Sequence, residues 1–416
     1  MYSKAKYLAI QLALALVSPF ASMCIAVRYY RNPLSWLFMV IFAYYFGSHM
    51  YMGVDATEHY GEMMAYYYGA SFDEIINNPI VFLHWGEPYA FLLKFIVSRF
   101  TSSPMVFGGV ICVIYMLLQI NFFTAFNKLY KNRLSLLSGI LFFVMLTVVQ
   151  FSWYQGVRYW PGVFWFMGFT LRYVMTQKKY HLVLACLCPF MHYSLILLPV
   201  ALVANYVLMK CGFKVHTLIF LLSFVVRASG IDFWPFLLEH TPFLDAYYDT
   251  LTVSSLDRVK VVEIMEELRA DSNPVYSIRS EVLALALLVI AATFKYKRVV
   301  FSDTAKYFLA FALTMATFAN VEYADITFYD RFFKVAVLLF AIFIFVTAVD
   351  NKQLLNGHSA FLIAYSTVVL AFEVVTQFWE VRIGYMHLEL WFGNFFMNWH
   401  GGFDEFSHAK WGDLFM

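Results

Sequence analysis

The chain has 416 residues, of which 62% are hydrophobic and 13% charged, with a net charge of +2 and a mean hydropathy of +0.67. A water-soluble domain is about 45–50% apolar and about 25% charged, so this composition excludes a soluble globule and a disordered chain. The 29 basic residues are nearly balanced by 27 acidic ones, which leaves no basic field to attract a nucleic acid.

Apolar runs fall near 7–27, 34–53, 104–127, 134–152, 159–176, 180–209, 216–232, 280–294, 304–320, 332–349 and 357–379. They are continuous and lack the apolar/polar alternation of a barrel strand, so they predict helices. The first run follows Lys4 and Lys6 and is read as a retained span, because further runs follow almost at once. The run 180–209 is long for one span. Pro189 and Pro199 interrupt it, which predicts a tight, partly broken hairpin. The stretch 88–100 is short and carries Lys94 and Arg99, as an interfacial or re-entrant helix would. The count is then roughly twelve crossings. The expected fold class is all-α: a single polytopic membrane domain over 1–379, with loops 54–103 and 233–279 on one face and a Trp/Phe-rich tail over 380–416.

Lysine and arginine orient the spans. Arg28 and Arg31, Lys128 to Arg133, Lys178 and Lys179, Lys210 and Lys214, Lys295 to Lys306 and Lys352 all fall on one face, which is expected to be cytoplasmic. Lys4 and Lys6 are the exception. The opposite face receives the other polar segments, away from ATP and nucleotide sugars. The five cysteines (24, 112, 186, 188 and 211) lie in or beside apolar runs, with no metal or redox spacing.

Ionisable groups near membrane depth default to functional candidates. In "GVDATEHYGE", Asp55, Glu58, His59 and Glu62 have spacings that let them share a helix face, with Tyr60 among them. That face suits a general base or a sugar site; the alternative is a solvated loop helix capped by Asp55. In "HWGEPYAFLLKFI", Glu87 opens an apolar helix, where the helix dipole alone would favour a carboxylate. Trp85 beside it could stack on a sugar or anchor at an interface. In "SWYQGVRYWPG", Arg158 starts a span among Tyr154, Tyr159 and Trp160. It could grip an anion with its planar fork or reach to lipid headgroups. His192 and Tyr193 sit in "FMHYS", deep in an apolar stretch. "VEYADITFYDRFFK" adds Glu322, Asp330 and Arg331; Asp330 could simply pair with Arg331 or cap a helix. No phosphate-binding Gly-rich loop, metal-ligand spacing or fixed-period repeat is present.

The order of these elements resembles the EpsG family of Wzy-type polysaccharide polymerases. The resemblance rests on Gly53-Val54-Asp55 with Tyr60 following, "EPYAFLLKFI" from Glu87, Arg158 opening a span, "FMHYS" at His192 and Arg331 before a late span. It covers about residues 34–340. Two departures stand out: His49 lies where the family often has an arginine, and Arg158 is followed by "YWPG". The resemblance implies a GT-C-like helical fold in a bacterial inner membrane, with the site facing the periplasm. It implies inverting glycosyl transfer between undecaprenyl-pyrophosphate-linked glycans, with no cofactor, and chain-length regulators or flippases as partners. Asp55 or Glu87 would be the base, Arg158 and Arg331 would stabilise the departing pyrophosphate, and His192 would position or protonate a phosphate oxygen. Glu58, His59, Tyr60, Trp85, Tyr154, Tyr159, Trp160, Tyr193, Glu322 and Asp330 would line the substrate. The alternatives are an O-antigen-ligase-like transferase and a lipid-linked glycan flippase or transporter.

Overall fold

The computed structural model describes residues 4–29, 32–49, 54–78, 81, 87–130, 156–229, 301–321 and 326–351. Every regular element among these residues is helical, as the apolar runs require. The chain divides into two compact units. The first comprises Met1–Leu129, Phe151–Ile196 and Trp379–Met416; the second comprises Tyr130–Gln150 and Leu197–Phe378.

The first unit begins with α1 (Lys4–Val17), α2 (Pro19–Arg28) and α3 (Pro33–His49), which pack together. The run 7–27 is therefore two helices that fold back on each other, with Ser22 Oγ of α2 donating to the Gln11 carbonyl of α1 at 3.4 Å. The Ser18 amide still donates to the Leu14 carbonyl at 2.7 Å and the Ser22 amide to the Ser18 carbonyl at 3.1 Å. Ser18 caps α2, its Oγ accepting from the Ala21 amide at 3.4 Å, and Pro19 takes the first helical position, where its missing N–H costs nothing. A buried set of hydroxyls and amides ties the three helices, with Tyr7 Oη 2.7 Å from Ser35 Oγ.

Next come α4 (Val54–Glu62), a π-helical turn at Met63–Tyr67, α5 (Phe72–Ile76), α6 (Pro88–Ser98) and α7 (Pro104–Tyr130). A Ser71–Glu74 capping box starts α5. Arg99 closes the π turn by donating to the carbonyls of Tyr67 and Ala70, the latter at 2.6 Å. Both cations of segment 88–100 have partners within the protein, the exposed Arg99 here and the buried Lys94 in the cluster described below. The unit continues with α8 (Tyr159–Thr176) and α9 (Lys179–Ala185), then short 3₁₀ turns at Cys188–Phe190 and Tyr193–Ile196. The expected break in 180–209 is present, at Pro189 and His192. Pro199 falls in the first turn of the next helix, where a proline costs no hydrogen bond.

Glycines let these elements approach closely. A Cβ on Gly47 of α3 would lie 2.6 Å from Cys112 Sγ and against the Gly108 carbonyl of α7. A Cβ on Gly162 of α8 would overlap Leu195 and come 3.3 Å from Met191 Cβ. That second contact seats the His192 turn beside the start of α8.

The second unit contains α10 (Leu197–Cys211), α11 (Phe213–Ser229), α12 (Asp303–Val321) and α13 (Ile326–Asp350). The first two of these helices carry aliphatic side chains on their exposed faces. Val200, Val203 and Val207 of α10 and Leu218, Leu222 and Val225 of α11 point outward. Inward lie Asn205, His216, Ser223 and Asn320. His216 Nε2 is 3.1 Å from Asn205 Oδ1, and Asn320 Nδ2 donates to Ser223 Oγ at 2.9 Å. Buried polar pairs between helices with aliphatic exteriors are the packing mode of helices in lipid.

By length and composition, two described helices can cross a membrane, Pro104–Phe126 and Tyr193–Cys211. Residues 131–155, 230–300 and 352–416 hold further apolar runs, the loop 233–279 and the tail 380–416; they lie outside the described residues.

The α3–α7 crossing gives a direct test. Gly47→Val should lower the melting temperature of the purified protein, since overpacking of this kind costs about 1–3 kcal/mol. Gly61→Ala, where an added Cβ meets nothing within 4 Å, should leave it unchanged or raise it. Equal behaviour of the two variants in a thermal scan would contradict the close crossing.

Candidate functional site

Four segments far apart in sequence bring their polar side chains together in the first unit. Asp55 stands in the first turn of α4 and Glu87 at the N-cap of α6. Arg158 is the N-cap of α8, and His192 lies between the two 3₁₀ turns. Arg158 is the hub. Its Nη2 donates to Asp55 Oδ1 at 2.8 Å and its Nη1 to Glu87 Oε2 at 2.7 Å. The Asp55 carboxylate also accepts from the Val157 amide at 2.7 Å. The Glu87 carboxylate accepts from the Tyr193 amide at 3.4 Å, and His192 Nδ1 lies 3.8 Å from its Oε1.

Helix dipole alone does not account for Glu87. Its side chain makes no cap hydrogen bond and turns to Arg158 instead. Nor does Asp55 serve only as a cap, because both its oxygens reach the 157–158 segment. Exposure separates the two carboxylates: the Asp55 side chain is 34% accessible and that of Glu87 7%.

Behind Asp55 the cluster continues along one face of α4. His59 is buried, with Nε2 3.6 Å from Asp55 Oδ1 and Nδ1 3.3 Å from Glu62 Oε2. Glu62 is paired with the buried Lys94 of α6. Glu58 is exposed. Tyr60 donates its hydroxyl to the Ser102 carbonyl at 2.9 Å. Tyr159 and Trp160 are buried and meet edge to face, and Tyr159 also meets the His192 ring edge-on at 5.9 Å. Tyr193 stacks on His192 at 4.7 Å. His192 Nδ1 is 2.8 Å from Ser194 Oγ, which fixes the ring.

Burial opposes ionisation of Asp55, but the charges of Arg158 and His59 and the Val157 amide outweigh it and hold the carboxyl below its ordinary range. Glu62 follows the same balance: burial is overcome by His59 and Lys94, and its carboxyl is also held low. For Arg158, burial is overcome by Asp55 and Glu87, so it stays protonated. Tyr89 is pushed up by burial and by the Asp55 charge. Its hydroxyl and Arg158 Nε are buried with no hydrogen-bond partner among the described residues.

Arg331 belongs to the second unit, half-buried near the start of α13. Trp85, Tyr154, Glu322 and the side chain of Asp330 lie outside the described residues. No group of three or more His, Cys, Asp or Glu among the described residues is arranged to hold a metal ion. The sequence pattern marked Lys94 only as part of an interfacial or re-entrant helix and did not single out Tyr89. Lys94 lies seven residues after Glu87, two turns along the same helix face, which is a legible signal. Tyr89 carries none.

The arrangement can present a fixed carboxylate to a hydroxyl and hold an arginine charge in a site of low polarity. Its stability has a pH sign. The native carboxyls of Asp55 and Glu62 titrate below the unfolded values of about 3.9 and 4.3, so their contribution is present above those values and lost as pH falls through the native ones. In melting scans, wild type should exceed Asp55→Asn at neutral pH, and the gap should narrow below about pH 4. A gap that stays constant would contradict the depressed carboxyl.

Compared with known proteins, the chain matches no family model, no curated relative and no solved structure.

Proposed function

We propose that the protein is a membrane glycosyltransferase of the Wzy type. It would join undecaprenyl-pyrophosphate-linked oligosaccharide units into a surface polysaccharide at the outer face of a bacterial inner membrane. One observation carries this reading: Asp55, Glu87, Arg158 and His192, from four separate segments of an apolar chain, form one cluster. These are the residues on which the resemblance to the EpsG family rests. A structural membrane subunit has no need of such a cluster at the ends of its helices.

The membrane setting is supported by the aliphatic exterior of α10 and α11 and by the polar pairs inside the bundle. The reading takes the apolar runs as about twelve crossings with a GT-C-like arrangement. The bias of lysine and arginine then puts the cluster on the outer side. There is no ATP or nucleotide sugar there, so the sugar must arrive already activated. A lipid-linked pyrophosphate supplies that activation.

In the proposed reaction, Asp55 or Glu87 takes the proton from the acceptor hydroxyl. That oxygen attacks the donor's anomeric carbon, the carbon–oxygen bond to the pyrophosphate breaks, and the leaving group departs with the electron pair. Arg158 stabilises it electrostatically. A pyrophosphate carries about two to three negative charges, and arginines can balance them without a metal. His192 positions or protonates a phosphate oxygen.

Arg158→Lys is the informative variant, because one ammonium cannot serve both carboxylates through a fork. In the native host, at matched protein level, it should reduce long surface glycans at least about tenfold and accumulate single outward-facing lipid-linked units. Accumulation on the inner leaflet would indicate a flippase. Unchanged glycans would remove Arg158 from the chemistry.

A further inference from the structure

Resting on the transferase reading, we propose that Asp55 is the carboxylate that meets the acceptor hydroxyl, and that His59, anchored by Glu62 and Lys94, relays the proton away from it.

The choice between the two carboxylates follows from access. A general base must come within hydrogen-bond reach of the proton it removes. The Asp55 side chain is 34% accessible and the Glu87 side chain 7%. Glu87 also has one oxygen on Arg158 and the other beside the Tyr193 amide and His192. It is built to hold Arg158 and the His192 turn in place.

Asp55 has a histidine on its own helix that leads on to a second carboxylate, whereas the His192 ring beside Glu87 is held by Ser194. His59 follows it by four residues on α4, and its buried ring stands between two carboxylates. Nε2 faces Asp55 Oδ1 at 3.6 Å and has no hydrogen-bond partner among the described residues. Nδ1 faces Glu62 Oε2 at 3.3 Å. Imidazole can take a proton at one nitrogen while releasing one from the other. The charged and titratable groups around this ring are Asp55 and Glu62 of α4, Lys94 and Tyr89 of α6, and Arg158 at the start of α8. Arg158 pairs with Asp55 and Lys94 with Glu62, so each of the two carboxylates has its own fixed cation.

The chemistry gives the relay a purpose. Asp55 is held ionised by Arg158 and the Val157 amide, so it retains a captured proton poorly. A base of that kind turns over faster if the proton leaves promptly. The acceptor O–H proton passes to the Asp55 carboxylate and then to His59 Nε2. The Nδ1 proton passes to Glu62, which gives it up to solvent. The carboxylates end as they began, the imidazole ends with its proton on Nε2 and regains the starting tautomer by a ring flip before the next turnover, and the pyrophosphate leaves as the anion. His59 and Lys94 are positioning and relay residues, and neither touches substrate.

The test uses the purified full chain in lipid vesicles with lipid-linked repeat units extracted from the host. His59→Gln should lower kcat at least about tenfold with KM within about twofold, and should alter the pH–rate profile. Lys94→Met should reproduce the loss of kcat, and Lys94→Arg should restore most of it. A folded His59→Gln protein with wild-type kcat and pH profile would overturn the relay. If His59→Gln does not fold, the Lys94 pair decides: equal rates for Met and Arg overturn the proposal, and rescue by Arg supports it. A wild-type chain that lengthens no glycan overturns the transferase reading itself, which separates the two failures.

Discussion

A guanidinium held between two carboxylates is the contact around which the first unit is organised. Arg158 joins the start of α8 to α4 through Asp55 and to α6 through Glu87. The partners lie 103 and 71 residues away in sequence, so this one side chain closes loops that weak local contacts would not close. Taking such charges out of water is expensive. The arrangement stands because every carboxylate oxygen on Asp55 and Glu87 has a donor within reach, as buried ion pairs require. Removing Arg158 would leave two carboxylates facing each other's charge with little water between them.

Around this hub the apolar chain supplies rigidity. Gly162 lets the His192 turn press against α8, and Gly47 lets α3 lie against α7. The π turn after α4 is held by Arg99, and its neighbourhood includes Tyr67 under the Lys94 ammonium. A π turn of this kind shifts the register of a helix, and such turns recur beside functional groups. In the second unit α10 and α11 expose aliphatic side chains, and a few amide, imidazole and hydroxyl groups pair within an otherwise apolar interior.

Much of this was legible in the sequence because the chain is so apolar. Against a background with 13% charged residues, Asp55, Glu87, Arg158 and His192 stand out by composition alone. The helix over 159–176 and the break after 185 follow from the apolar run and from Pro189. The reversal at Ser18–Pro19 was missed because a continuous hydrophobic run does not register where the chain turns back. Lys94 was misread because a cation in a short apolar helix looks interfacial until its carboxylate is found; Glu62 lies 32 residues upstream. His59 was read as lining the substrate, yet its neighbours at i−4 and i+3 turn it inward. Which carboxylate faces outward is a matter of packing, and no spacing rule reports it.

The account claims that this cluster transfers glycan units from one lipid-linked pyrophosphate to another. The most direct measurement is reconstitution of the purified chain in vesicles with host lipid-linked repeat units, without ATP or nucleotide sugar, followed by gel analysis of glycan length. A ladder of longer lipid-linked glycans, with release of the undecaprenyl pyrophosphate carrier, is the predicted result. Units that cross the bilayer without lengthening, or that remain unchanged in wild-type vesicles, would contradict it.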